Sequence, residues 1–425
     1  MIIEFSLGNY RSFNEIQRIN FRATGLVSED KTVDANNIAE VSGQRLLKTV
    51  GVYGANASGK SNLLKGLQFF KRLIVSSLEN ETAFSNWFQP NKQVDSHSDH
   101  LGYFQIILLL NERKYRYGFT LTNDGIAAEW LYGTAEKNET FYFQRVLNEV
   151  KVNNEYFPEG VNIPYETKLR RDALFLTFCS SYNGDISGLI RDYFVDKLKL
   201  DIGYDYNNLE TNLLVMSGAK QTVLDWLNEA SLAYSDINVK KASSLTKFDL
   251  KGNIVSHNNL NASIEMGQVK LNKNVYNKEG QVVNQITMDL EQDESEGTQK
   301  YYSYIGQFFN KFINGGLFIS DEIDSNFHPA LLRKIIGMFN NPKINKANAQ
   351  LLFTSHDTNL MSPEIMRRDQ FYFTEKSPTD ATVLYSLADL KGIRNNADFA
   401  KQYLAGYYGA LPVLGKYIEE QSNPE

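Results

Sequence analysis

A chain of 425 residues that is 42% hydrophobic and 22% charged can bury one large core or two to three domains, which excludes a wholly disordered chain. Its formal net charge of −6 gives no push toward nucleic acid as an obligatory partner, and its one cysteine, Cys179, excludes an intrachain disulfide and fits a reducing compartment. No apolar run approaches the roughly 18 residues of a spanning helix, and Met1-Ile2-Ile3-Glu4-Phe5-Ser6 lacks the basic start of a signal peptide, so a cytoplasmic protein without a membrane partner is expected.

In chain order, residues 2–7 read as a strand, followed by Asn9-Tyr10-Arg11-Ser12-Phe13 and a second strand near 17–21. Polar residues 28–44 read as a loop. The apolar run 46–53 has the length of a buried strand, and residues 61–73 carry helical spacing in Leu63, Leu64, Leu67, Phe70 and Leu73. Residues 104–110, 115–121, 126–132 and 140–145 form a ladder of predicted antiparallel strands, with turn chemistry at Asn111-Glu112 and Asn123-Asp124-Gly125. The stretch 165–235 reads as mainly helical, best at 186–198 and 220–232. Polar strands return within 248–290, with turns at Lys251-Gly252-Asn253 and Lys278-Glu279-Gly280. A helix over 298–313, a strand over 316–320, a helix over 329–339 and a strand over 349–354 give the last third an α/β alternation. No heptad pattern is sustained, so no long coiled coil is expected.

Between the strand at 46–53 and the following helix stands Gly54-Ala55-Asn56-Ala57-Ser58-Gly59-Lys60-Ser61, a match to G-x-x-x-x-G-K-S/T in the context that motif needs. Gly54 and Gly59 let the backbone turn so that successive N–H groups face phosphate oxygens, and the helix that continues through Asn62 adds its dipole. Lys60 would neutralise the β- and γ-phosphates of ATP, and the Ser61 hydroxyl would ligate Mg²⁺. Downstream, the apolar Leu317-Phe318-Ile319 delivers Asp321 and Glu322. Asp321 would hold Mg²⁺ through water, and Glu322 would polarise the attacking water. The histidines other than His356 show no ligand spacing for a structural zinc.

Asp321-Glu322-Ile323-Asp324-Ser325-Asn326-Phe327-His328-Pro329 resembles the Walker B and D-loop region of SMC, RecF and related ABC-type ATPases. Glu294-Ser295-Glu296-Gly297-Thr298-Gln299 stands where those proteins carry their signature motif, keeping the serine and second glycine of the transporter form. The resemblance implies that Ser295 and Gly297 cap the ATP bound by a second subunit; read alone, the segment is a simple helix N-cap. Ser355-His356-Asp357 resembles the switch histidine of the same class, which contacts the γ-phosphate. The N-terminal Asn9-Tyr10-Arg11-Ser12-Phe13 is similar to an element that brings its arginine close to the nucleotide, although Arg11 also reads as a salt-bridged strand-end residue. Gln89 is the candidate for the metal-contacting Q-loop glutamine, with Gln93 as a competitor and an ordinary loop glutamine as the alternative.

Tyr115-Arg116-Tyr117-Gly118-Phe119, Glu129-Trp130-Leu131-Tyr132 and the tail from Tyr403 to Pro412 narrow the resemblance to the stand-alone ATPases of bacterial abortive-infection loci, the RloA/AbiLi kind and the AriA ATPase of PARIS. Tyr407 departs from that pattern, which has an arginine there. The implied fold is an α/β ABC-type P-loop head, with a mixed sheet and an antiparallel β lobe, interrupted by a mainly helical insertion. On that reading residues 1–148 and 251–425 make the head and 149–250 the insertion, which accounts for the 260 residues between Lys60 and Asp321. The implied partners are a second copy in a head-to-tail homodimer or higher homo-oligomer, a separately encoded Toprim-like or RloB-like effector, and a phage trigger protein. DNA stays open as a partner without support from the charge. Two alternatives carry the same nucleotide site: a RecF-like DNA repair or replication ATPase, and an ATP-gated scaffold that does not turn over.

Overall fold

The computed structural model describes residues 1–79, 87–92, 101–134, 138–161, 163–164, 168–203, 206–240 and 268–412. Gln93, the turn at Lys251-Gly252-Asn253 and His97, His100 and His257 lie outside the described residues. The chain divides into two compact units: Met1–Ile202 with Gly315–Ile323 and Leu332–Glu425, and Gly203–Asn314 with Asp324–Leu331.

The first unit holds two large sheets and a two-stranded one. In the seven-stranded antiparallel sheet the order is Glu149–Val152, Glu139–Val146, Gly125–Thr134, Arg113–Thr122, Gly102–Leu110, Ile2–Gly8 and Gln17–Asn20. Four of these strands are the predicted ladder. Phe104, Ile106 and Leu108 are buried while Tyr103, Gln105 and Ile107 are not, the period-two pattern of a sheet with one face on the core.

The six-stranded sheet runs Leu198–Asp201, Leu317–Ser320, Gln350–Thr354, Thr49–Gly54, Phe371–Lys376 and Thr382–Ser386. Its first five strands are parallel and the last is antiparallel. Thr49–Gly54, Leu317–Ser320 and Gln350–Thr354 are buried at every residue, which is why they read as unbroken apolar runs. Because these strands are parallel, the residues that follow Gly54, Ser320 and Thr354 all leave the sheet at the same carboxyl-terminal edge, where α/β sheets place their ligands.

The helix Lys60–Ser76 packs between the two sheets through Leu63, Leu64, Leu67, Phe70 and Leu73. Phe70 stacks on Phe119 at 5.0 Å and meets Phe5 edge-on at 5.7 Å.

Two segments differ from the sequence reading. The helix read over 186–198 ends at Asp192. A π-turn over Tyr193–Lys197 then leads into the edge strand Leu198–Asp201. Its partner Leu317–Ser320 lies more than a hundred residues away, so nothing local favours the strand. The loop read over 28–44 contains a helix, Lys31–Asn37, capped by Asp30, whose carboxylate accepts from Thr32 N at 2.8 Å. It leads into the hairpin of Ile38–Val41 and Gln44–Leu47.

The second unit has a three-stranded sheet of Asp236–Val239, Val269–Tyr276 and Val282–Asp289, with the expected turn at Lys278-Glu279-Gly280. Its helices Leu209–Leu214, Lys220–Glu229 and Glu296–Asn314 pack together. Gly306 is required at their crossing, since a Cβ there would meet Thr211 N at 2.2 Å. Thr211 Oγ1 donates to Tyr302 O at 2.7 Å and accepts from Gly306 N at 2.9 Å. Among the described residues the longest helix is Glu296–Asn314, of 19 residues, and none is long and apolar enough to cross a membrane.

Candidate nucleotide-binding site

The loop from Gly54 to Lys60 is shaped by backbone that side chains resist. Gly54 has φ 150°, Gly59 φ 114°, and Ala57 takes a left-handed φ of 61°. Close packing behind the loop also demands the glycines. A Cβ at Gly54 would meet Thr374 O at 2.4 Å, and one at Gly59 would meet Thr382 Oγ1 at 2.2 Å.

Four hydroxyls fix this rear face. Ser58 Oγ and Thr374 Oγ1 bond at 2.6 Å, and Thr382 Oγ1 lies 2.8 Å from both Ser58 O and Ser12 Oγ. Asn62 Nδ2 donates to the same Ser12 hydroxyl at 2.8 Å. Gly59, the N-cap of the helix Lys60–Ser76, has no side chain with which to cap it. The helix therefore presents first-turn N–H groups and a positive dipole end to the front of the loop.

Lys60 is 6% exposed, and its amine donates to Gly54 O at 2.8 Å and Ala55 O at 3.0 Å. The loop thus holds the cation against its own carbonyls, at the place where phosphate oxygens would compete for it.

The second strand end supplies carboxylates. Asp321 N donates to Asp201 O at 3.0 Å, which ties the carboxylate turn to the edge strand that the sequence reading missed. Thr354 Oγ1 donates to Asp321 Oδ1 at 2.6 Å and accepts from Glu322 N at 2.7 Å. Glu322 has a left-handed φ of 47°, a strained conformation of the kind that clusters at functional sites. The third strand end turns through Ser355, whose N donates to Val52 O at 3.1 Å, into His356.

Asn56, Ala57, Ser58, Gly59, Lys60, Ser61 and Asn62 line one cavity of about 320 Å³ together with Glu322 and His356. Asp321 adjoins Glu322 at the strand end and is not in that lining. Arg11 and Gln89 come together elsewhere, through Arg11 N donating to Gln89 O at 2.7 Å; the Arg11 side chain, at φ 51°, turns its Nε to Tyr10 Oη at 3.2 Å. Neither Arg11 nor Gln89 lines the cavity, and the link from their segment to the loop runs through Ser12. A neighbouring cavity of about 650 Å³ shares Asn56, Ser58 and His356 with it and is lined further by Gly54, Ala55 and the tail residues Tyr403 and Leu411.

Ser295 and Gly297 belong to the second unit. Ser295 Oγ accepts from Thr298 N at 3.3 Å, an N-cap on the helix Glu296–Asn314. Gly297 lets the Ser325-Asn326 turn approach, since a Cβ there would meet Asn326 O at 2.3 Å. Lys300 Nζ donates to Ser325 O at 3.0 Å, and Asn326 Nδ2 to Glu296 Oε2 at 3.0 Å, so the start of the helix Glu296–Asn314 and the Ser325-Asn326 turn are bound to each other.

The donor set fits a nucleoside triphosphate: glycines whose places a Cβ would fill, an uncapped helix start and a buried amine. Among the described residues no group of three or more His, Cys, Asp and Glu could form a cage for a metal ion. A magnesium held by Ser61 and Asp321 with phosphate oxygens and waters needs no such cage. Sequence reasoning passed over Ser12, Thr354, Thr374 and Thr382. Only Thr354 carried a local signal, as a hydroxyl closing an apolar strand two residues before His356.

Among curated proteins none matches this sequence. Solved structures similar at low identity include three SMC head domains. The SMC head domain from Thermotoga maritima is 12% identical with a TM-score of 0.38, covering 91% of this chain and 98% of that one. The Smc head domain with an extended coiled coil bound to the C-terminal domain of ScpA, derived from Pyrococcus furiosus, is 11% identical with a TM-score of 0.44, covering 96% and 99%. The Smc head domain with a coiled coil and joint from Pyrococcus yayanosii is 8% identical with a TM-score of 0.47, covering 96% and 99%. A family model described as "AAA domain, putative AbiEii toxin, Type IV TA system" matches residues 50–362, from the strand before the phosphate loop to just beyond His356. With most of its length matched, the chain belongs to this AAA-domain family.

Proposed function

We propose that the protein binds ATP with Mg²⁺, hydrolyses it, and uses the cycle as a switch in an abortive-infection system. The observation that carries the reading is the single cavity in which the phosphate loop faces Glu322 and His356. Lys60 and the first-turn N–H groups would bind the β- and γ-phosphates, and Ser61 and Asp321 would hold the cation, which lends charge neutralisation to the transferring phosphoryl group. Glu322 would take the proton of the attacking water, and His356 would orient the terminal phosphate.

Ser295 and Gly297 would complete the site of a second copy, giving a head-to-tail homodimer or larger homo-oligomer that closes on ATP. Support comes from the start of the helix Glu296–Asn314, where the Ser295 hydroxyl caps the first turn and Gly297 carries no side chain. The abortive-infection setting rests on the resemblance in the sequence and on the family's own description as a putative toxin of a type IV system. Residues 149–202 of the segment read as the insertion fall in the first unit, so in that setting the second unit would read a phage trigger, and a separately encoded Toprim-like or RloB-like effector would be held or released.

The test is phosphate release at saturating Mg²⁺·ATP by the wild type, Glu322→Gln and Lys60→Ala, with the mass of each in solution. The expected result is turnover only in the wild type, and an ATP-dependent rise in mass that Glu322→Gln makes persistent. Wild-type turnover no higher than that of Lys60→Ala would sink the enzymatic reading.

A further inference from the structure

Thr354 is buried at the end of the strand Gln350–Thr354, and its neighbourhood is unusually specific. A threonine hydroxyl has one proton to donate and lone pairs to accept with. Here its partners settle the direction. Glu322 N can only donate, so the hydroxyl accepts there at 2.7 Å, and its own proton goes to Asp321 Oδ1 at 2.6 Å. The main chain adds a third tie, Ile323 N to Thr354 O at 3.0 Å. Three consecutive residues, Asp321, Glu322 and Ile323, are therefore held by one residue.

This grip falls on the left-handed backbone of Glu322, φ 47°, which persists only where the surroundings over-determine it. Thr354 supplies two of the bonds on either side of that residue's α-carbon, one to its own N and one to the next residue's N. The strand that carries Thr354 lies between Leu317–Ser320 and Thr49–Gly54, so its end stands between the carboxylate turn and the phosphate-loop strand.

We infer that Thr354 is a positioning residue for both carboxylates: its hydroxyl orients Asp321 toward the cation and holds the Glu322 backbone that aims the general base. The inference rests on the ATPase reading above. It assigns to a hydroxyl two residues before His356 a role separate from that of the histidine.

The experiment compares Thr354→Val, which keeps the β-branched shape and strand preference without the hydroxyl, with Thr354→Ser, which keeps the hydroxyl without the methyl. Three readouts are taken on the full chain: turnover at saturating Mg²⁺·ATP, the Mg²⁺ concentration giving half-maximal turnover, and affinity for a fluorescent ATP analogue in EDTA. For Thr354→Val, turnover is expected to fall about 10–100-fold and the Mg²⁺ midpoint to rise, as when the partner that orients a metal ligand is lost. Metal-free analogue affinity should stay within about twofold, since the phosphate loop keeps its contacts. Thr354→Ser should keep turnover within about threefold of the wild type.

Unchanged turnover and Mg²⁺ midpoint in Thr354→Val would overturn the inference. An equal loss in Thr354→Ser would overturn it too, since packing of the methyl would then be the cause. Should Thr354→Val lose its thermal midpoint by more than about 5 °C, Thr354→Ser alone decides, near-wild-type turnover supporting the role and loss rejecting it. A wild type that does not exceed Lys60→Ala brings down the ATPase reading and this inference together; an active wild type with an equally active Thr354→Val brings down this inference alone.

Discussion

In the first unit the amines of Lys48, Lys60 and Lys71 rest on main-chain carbonyls: those of Asn36 and Asn340, of Gly54 and Ala55, and of Leu198. In the second unit Lys220, Lys270 and Lys273 pair instead with the carboxylates of Asp236, Asp289 and Glu294. A carbonyl is a dipole and leaves most of a cation's field intact, whereas a carboxylate at contact neutralises it. The carbonyls of Gly54 and Ala55 thus hold the Lys60 amine at the loop, where an anion would compete for it. The second unit spends its charge on architecture: Lys273 at 3.2 Å from Glu294 steadies the residue before Ser295, and Lys270 at 3.0 Å from Asp289 anchors the strand end that leads there.

The largest effect should follow loss of Lys60. Lys60→Ala is expected to weaken binding of a fluorescent ATP analogue and lower turnover by about 100-fold or more, the scale seen when a preorganised charge-stabilising donor is removed. Lys60→Arg keeps the charge but cannot occupy the narrow place between Gly54 O and Ala55 O, and should recover little. Analogue affinity within about threefold of the wild type in Lys60→Ala would break the comparison at its centre.

In the second unit the expected losses are in stability. Gly297→Ala drives a Cβ toward Asn326 O, at 2.3 Å, and a backbone atom yields less readily than a flexible side chain. A cost of about 1–3 kcal/mol in urea unfolding is expected, the range of overpacking. Lys273→Ala removes an ion pair whose side chains are 32% and 8% exposed, and the contact of its amine with the Tyr234 ring at 4.6 Å. Solvent screening limits this to about 0.2–1 kcal/mol, and the difference from wild type should shrink as salt is raised. A loss in Lys273→Ala as large as that in Gly297→Ala would show that side-chain charge, not backbone approach, holds the signature segment.

Much of this arrangement is legible in the sequence because it is local. The phosphate loop, Asp321-Glu322 and Ser355-His356 are contiguous, and each follows an apolar run that is a buried parallel strand. What escaped depends on distant partners. Leu198–Asp201 is four residues long and becomes a strand only beside Leu317–Ser320. The hydroxyls behind the loop link Ser12, Ser58, Thr374 and Thr382 across the length of the chain, and serine and threonine are too common for any to stand out. Arg11 and Gln89 show the reverse: each is legible as a candidate, yet their shared bond is main chain, Arg11 N to Gln89 O, and no side-chain pattern encodes it.

The smallest effect tests the carbonyl-held lysines by pH. Lys48 is 1% exposed, and burial pushes its amine down to about 8. In the unfolded chain a lysine titrates at about 10.4. Below the folded value both states carry the proton, and the penalty for a buried cation is felt in full. Between the folded and unfolded values only the unfolded chain keeps the proton, so stability contributed by this site rises with pH across that window. In Lys48→Met the rise is absent. The thermal midpoint of the wild type minus that of Lys48→Met should therefore increase by about 1–2 °C between pH 7.5 and 10. A flat difference would mean that the carbonyls of Asn36 and Asn340 hold the amine charged throughout, and that dipoles at this depth compensate a cation as fully as the carboxylates of the second unit do.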